Sequence, residues 1–171
     1  MKAEKVSLCM GFVVIILLAF VIIWQADIVG VAESRIEQDA RESQQIESDW
    51  AVAQAVNEDM CAMLFYDEET KECTYSIYLQ HEEEFSSGYY FGQGGKDGYM
   101  AESVKAMVIQ DRAIAVMSMN AECVCAIVTE QGAIEVDPAK PFVVLLPLDC
   151  GEIKMYDTEQ ELVTLYDTYT G

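Results

Sequence analysis

Residues 73–79 read CTYSIYL, and Tyr75, Ile77 and Leu79 alternate there with Thr74, Ser76 and Tyr78. A spacing of two sends alternate side chains to opposite faces of an extended strand, and the aromatic and β-branched content suits a pleated, half-buried surface. The polar turn ahead of it, 67–72 (DEETKE), marks the point where the period of the chain changes. The same pattern continues downstream and predicts strands at 88–91, 99–109, 112–119 (RAIAVMSM), 123–129 (CVCAIVT), 133–136, 142–146 (FVVLL), 152–157 and 161–166. Turn signals separate them at Ser86-Ser87-Gly88, across 92–98, at Asn120, Gln131-Gly132, Asp137-Pro138 and Asp149-Cys150-Gly151. Short strands at such intervals predict an antiparallel β-sandwich or barrel-like domain. Residues 142–146 are apolar on both faces, which predicts a central buried strand bracketed by Pro141 and Pro147.

Upstream, Ile36, Ala40, Ile46, Trp50, Ala53, Val56, Met60 and Leu64 recur at helical spacing, and no Gly or Pro interrupts 31–87. An amphipathic helix is expected, with 50–64 packed on the β-domain and 33–49 as a more exposed spacer. Farther upstream, residues 6–24 (VSLCMGFVVIILLAFVIIW) carry no charge over about 19 positions. At a rise of 1.5 Å per residue, that length approaches the ~30 Å hydrocarbon core of a bilayer. The fold class expected is therefore α+β: an N-terminal transmembrane helix continuing into an amphipathic helix, then the β-domain. The expected organisation is a cytoplasmic tail at 1–5, a signal anchor at 6–24, a helical stalk at 25–49 and an extracytoplasmic domain at 50–171.

Lys2 and Lys5 precede the apolar run, and the first basic residue beyond it is Arg35. The positive-inside rule leaves the N-terminus in the cytoplasm and sends the body of the chain across. A cleaved signal peptide is the competing expectation, with Gly30-Val31-Ala32 as its small-x-small site, but the apolar run exceeds the ~7–15 residues of a signal core. Trp24 suits the outer interface.

The net charge is −20, and all but three of the charged residues lie beyond residue 24. So acidic a body is repelled by nucleic-acid phosphates and anionic lipid headgroups, which argues against nucleic-acid binding; the charge also keeps the domain soluble. Six cysteines are present: Cys9 in the apolar run, then Cys61, Cys73, Cys123, Cys125 and Cys150. The odd number outside the run leaves their pairing open. Cys123-x-Cys125 is half of a metal motif without a second half, and His81 is the sole histidine, so no metal or cofactor is expected. No G-x-S-x-G surrounds Ser86, Ser87 or Ser118, and no enzymatic constellation emerges. The acidic clusters 67–69 and 82–84 lack the ligand spacing of an EF-hand.

Residues 92–98 (GQGGKDG) invite a phosphate-loop reading, but Tyr90 stands where the first glycine belongs and Asp97 where a hydroxyl belongs. A flexible hairpin or Ω-type loop is expected instead. With its aromatic flanks it is the candidate contact surface, carried by Tyr89, Tyr90, Lys96, Asp97 and Tyr99. A five-residue cytoplasmic tail holds no output domain, so a protein partner is expected. These features describe a non-enzymatic, single-pass membrane protein whose external domain is a structural, binding or sensory accessory.

Met10-Gly11-Phe12 resembles the Gly-Phe junction cut in type IV pilins and pseudopilins, and the order of apolar helix, amphipathic helix and sheet resembles their layout. The resemblance implies a minor filament subunit as the alternative. It departs from the family at Ile16, where the mature helix carries glutamate, and in lacking a basic residue just before Gly11.

Overall fold

The computed structural model describes residues 15, 16, 18, 30–81 and 88–170. Among the described residues no helix is long and apolar enough to cross a membrane. The tail at 1–5 and the apolar run 6–24 lie outside them, except for Ile15, Ile16 and Leu18, which are helical and exposed.

The chain joins the domain at Val31, which exchanges both backbone hydrogen bonds with Tyr89, at 2.6 and 2.8 Å. A 3-10 turn at Glu33–Arg35 leads into helix α1, Ile36–Gln44. Ile36 and Ala40 stand four apart, share one face and are both buried. Gln45, with φ +56°, ends the helix in the left-handed conformation. The spacer expected at 33–49 is thus corrected: its apolar stripe is spent on the domain.

The helix expected at 50–64 is also corrected. Strands β1 (Ala51–Val56) and β2 (Met60–Tyr66) form an antiparallel hairpin there, registering Ala51 with Tyr66 and Val56 with Cys61. Asn57 makes its turn, the side-chain Oδ1 accepting the N–H groups of Asp59 and Met60 at 3.0 and 2.9 Å. All residues of β2 up to Phe65 are buried, which suits a central strand covered on both faces and not one stripe of a helix.

Two more strands complete this first sheet, β3 (Cys73–Gln80) and β4 (Tyr89–Lys96), in the order β1-β2-β3-β4. The glycine stretch read as a loop is mostly strand: β4 runs through it to Lys96, with a bulge at Gly92 between the pairs Tyr78–Phe91 and Ile77–Gln93.

The middle sheet holds β5 (Val104–Ile109), β6 (Ala113–Ser118), β9 (Phe142–Pro147) and β12 (Leu165–Thr170) in the order β12-β5-β6-β9. The outer sheet holds β7 (Val124–Thr129), β8 (Gly132–Glu135), β10 (Lys154–Asp157) and β11 (Leu162–Val163) in the order β11-β10-β7-β8. Pairing is antiparallel except for β12, which runs parallel to β5. The strand expected from residue 99 begins at Val104, after a 3-10 turn at Gly98–Ala101.

Alternate side chains bind these layers into a sandwich-like stack. Met60, Ala62 and Leu64 of the first sheet meet Met107, Ala115 and Met117 of the middle one. From the opposite face of the middle sheet, Val104, Val116 and Phe142 meet Val124, Ile127 and Met155 of the outer sheet. Over the far face of the first sheet, α1 seats Ile36 and Ala40 on Cys61, Met63, Phe65 and Tyr78. The expected central position of 142–146 is corrected in one respect. β9 ends its sheet, and its two apolar faces are explained by the layers on either side, since Val143 and Leu145 join one core and Leu146 the other.

A buried polar knot joins the middle sheet to the outer one. Asn120, at φ +60°, donates Nδ2 to the carbonyls of Val124 and Asp137 at 3.1 and 3.0 Å, and its Oδ1 accepts the Val124 N–H at 2.7 Å. Its own N–H reaches Ser118 Oγ at 2.8 Å. Replacing Asn120 with Ala strands the Val124 N–H and leaves a strained backbone, so the expected loss is about 3 kcal/mol. Urea unfolding at unchanged m-value measures it, and a loss below about 0.5 kcal/mol means the knot is dispensable.

Candidate functional site

Period two, together with the Gly92 bulge, sorts the side chains of β4. Phe91, Gly94 and Lys96 register with Tyr78, Ser76 and Thr74, on the face that α1 crosses. At the end of the sheet where α1 stops, this face opens into a cleft of about 390 Å³. Trp50, Phe91, Glu47, Glu72, Lys96 and the Gly94–Gly95 backbone line it, with the last turn of α1 at its back.

The back wall is a latch between helix and sheet. Gln44 donates Nε2 to Ser76 Oγ and to the Tyr75 carbonyl, the latter at 3.3 Å, while its Oε1 accepts the Thr74 hydroxyl at 3.2 Å. The latch explains one glycine. A Cβ on Gly94 would stand 2.5 Å from the Tyr75 oxygen and 2.7 Å from Gln44 Nε2. Farther along α1, Asp39 accepts the hydroxyl of buried Tyr78 at 2.6 Å.

Both aromatic walls rest on the core, Trp50 partly buried against Phe65 and Tyr78. Phe91, 47 % exposed, meets the Tyr78 ring edge-on at 5.6 Å. Arg41 donates to the carbonyls of Trp50 and Glu47, each at 3.0 Å, and its guanidinium sits 4.9 Å over the Phe65 ring. At the rim, Lys96 and Glu72 stand 3.7 Å apart with both side chains largely exposed. Such a pair is worth little as a structural bond and keeps its hydration.

Of the expected contact surface, Tyr89, Tyr90, Lys96 and Asp97 lie in separate surroundings. Lys96 lines the cleft. Tyr89 is 7 % exposed, packed under α1, and desolvation there raises its phenol pKa. Tyr90 points to the opposite face, its ring 4.9 Å from His81 and its hydroxyl donating to Gln110 Oε1 at 3.3 Å. Asp97 pairs with Lys105, and its carbonyl accepts the Cys73 thiol at 3.4 Å. Tyr99 lies on the 3-10 turn Gly98–Ala101. Trp50, Phe91, Glu47 and Glu72 are among the cleft residues missing from the expected surface. Alternation alone through 92–96 would put Phe91 and Lys96 on opposite faces, and the bulge at Gly92, which period two does not signal, brings them to the same one.

The other candidates resolve as structure. Ser118 is buried, donates to the Ser103 carbonyl at 3.0 Å and supports Asn120. Asp67 Oδ1 accepts the N–H groups of Glu69 and Thr70 at 2.6 and 3.1 Å, and these bonds lower its pKa. Ser86, Ser87 and the cluster 82–84 lie outside the described residues. His81 Nε2 is buried with no hydrogen-bond partner among the described residues. Among them, too, no group of three or more His, Cys, Asp or Glu could hold a metal ion.

The five described thiols are free. Cys61, Cys73 and Cys150 belong to three different cores, so the layers keep them apart. Burial pushes Cys61 and Cys73 up to about 11, with Glu33 and Asp97 adding to it respectively, and burial raises Cys150 as well. Cys123 is exposed at φ +54°, ahead of β7 and not in it, and Cys125 donates its thiol to the Asp157 carbonyl at 3.1 Å.

No family model, curated protein or solved structure matches this chain.

Two outcomes are expected. Gly94→Ala forces the latch open and costs about 2 kcal/mol, whereas Gly98→Ala, whose Cβ meets open space, leaves the urea midpoint within about 0.5 kcal/mol of the original. Iodoacetamide at pH 8, followed by peptide mapping, labels Cys123 in the native protein and reaches Cys61, Cys73 and Cys150 only after denaturation.

Proposed function

We propose that this chain is a non-enzymatic, single-pass membrane-anchored protein whose β-domain stands outside the cytoplasm and works as a binding accessory through the cleft beside Trp50 and Phe91. The observation that carries the anchoring is the exposure of the three described residues of the apolar run. Ile15, Ile16 and Leu18 are helical yet 65 %, 55 % and 56 % exposed, so the domain gives these side chains no cover. Leaving such groups in water forfeits about 1.5–3 kcal/mol each, which a bilayer recovers. Lys2 and Lys5 set the direction of crossing.

Met10-Gly11-Phe12, which carries the resemblance to pilins, lies outside the described residues. Among the described residues, an amphipathic helix at Ile36–Gln44 is followed by three stacked sheets. Binding is the part of the accessory role that the cleft supports, because Phe91 rests on Tyr78 and Trp50 packs on the core under α1 while Phe91 stays open to solvent.

Carbonate extraction and protease accessibility test the reading on the full chain with a C-terminal tag. The protein is expected to stay with the membrane pellet at alkaline pH, and protease added outside intact cells or spheroplasts is expected to remove the tag. Release into the supernatant overturns the anchor, and a protected tag overturns the orientation.

A further inference from the structure

We propose that the cleft between Trp50 and Phe91 binds a neutral sugar unit of a glycan. This rests on reading the domain as a binding accessory and names the ligand of that site.

The walls suit one face of a sugar ring. A pyranose presents axial C–H groups that pack against the electron-rich faces of aromatic rings, and two such rings flank this cleft. Phe91 is held edge-on by Tyr78 while remaining 47 % exposed, and the partly buried Trp50 packs against the core between α1 and the first sheet. Little side-chain freedom is then lost on binding.

The rim suits the hydroxyls. Every sugar hydroxyl both donates and accepts. Glu47 and Glu72 supply acceptors, and Lys96 and the Gln45 amide supply donors, all lining the same cleft. Because Lys96 and Glu72 are 3.7 Å apart and largely exposed, each keeps bonding capacity directed at water that a hydroxyl can take over.

Charge and size remove the other ligand classes. Two carboxylates against one ammonium, in a chain of net charge −20, repel phosphates and carboxylates. A volume of about 390 Å³ falls within the ~300–1,000 Å³ of small-molecule sites and is too small for a docked helix. An extended peptide added along β4 meets Val31 already paired at Tyr89 and the bulge at Gly92, two interruptions of that edge. The wider concavities, of about 540 and 590 Å³, lack a pair of aromatic walls.

The test is a titration of the full chain in detergent, carrying Trp24→Phe so that Trp50 is the sole tryptophan, with N,N′-diacetylchitobiose, cellobiose and maltose as probes. At least one probe is expected to give a saturable change in Trp50 emission. Phe91→Ala is expected to weaken it about tenfold, while Ile134→Ala on the outer sheet leaves it unchanged. Phe91 is exposed, so its loss spares the fold, and an unaltered urea midpoint verifies this. Absence of saturation with all three probes, or binding indifferent to Phe91→Ala, overturns the sugar assignment. If cross-linking in cells then captures a protein partner in a Phe91-dependent way, the binding reading survives with a protein ligand. If neither sugar nor partner depends on Phe91, both fall.

Discussion

Every residue of β6 is buried, and a strand with no solvent face needs a layer on each side of it. One layer is the first sheet, whose β2 is itself buried through Phe65, and that second demand is met by α1. The other layer is the outer sheet, where the demand ends: β8 is exposed at all four positions, and the far side of the stack faces solvent. The arrangement is thus fixed from the middle outward. Cores of aliphatic and methionine side chains fill each gap, and the acidic groups are left to turns and outer surfaces.

The position of the cleft follows from the same packing. Helix α1 is too short to cover the first sheet from end to end, and it stops where Gln44 bonds Ser76 and Thr74. Beyond that latch the sheet surface would be bare but for Trp50, entering β1, and Phe91, on β4. Glycine at 94 lets the helix end approach the strand, and the absence of a side chain there also leaves the hollow open. A packing requirement and an open cleft are thereby met by one residue.

Much of the β-domain was legible because its strands carry their own punctuation. Residues 73–79, 112–119, 123–129 and 142–146 alternate or run apolar between Asn, Gly, Asp and Pro, and the structure has β3, β6, β7 and β9 there. The hairpin at 51–66 was hidden because Ala51, Ala53 and Ala55 are good helix formers, and its turn depends on an Asn57 side chain instead of Gly or Pro. Glycines concealed the second half of β4, and at Gly94 the usual cost of glycine in a strand is offset by close approach of the helix. The cleft was the least legible feature. Trp50, Glu72 and Phe91 come from three separate parts of the chain, and only the successive pairing β1-β2-β3-β4 brings them to one end of a sheet.

The parallel pairing of β12 with β5 sets an order of events during synthesis. Residues 104–109 leave the ribosome early, but the edge they present is filled only when 165–170 arrive, after the whole outer sheet has emerged. Until then the middle sheet carries an open flank while its buried faces are already collapsing. A nascent domain in that state is vulnerable to wrong pairing with a neighbouring chain. Its last strand acts as the closing step of assembly, so the time between those two arrivals is the interval in which a chaperone has most to do.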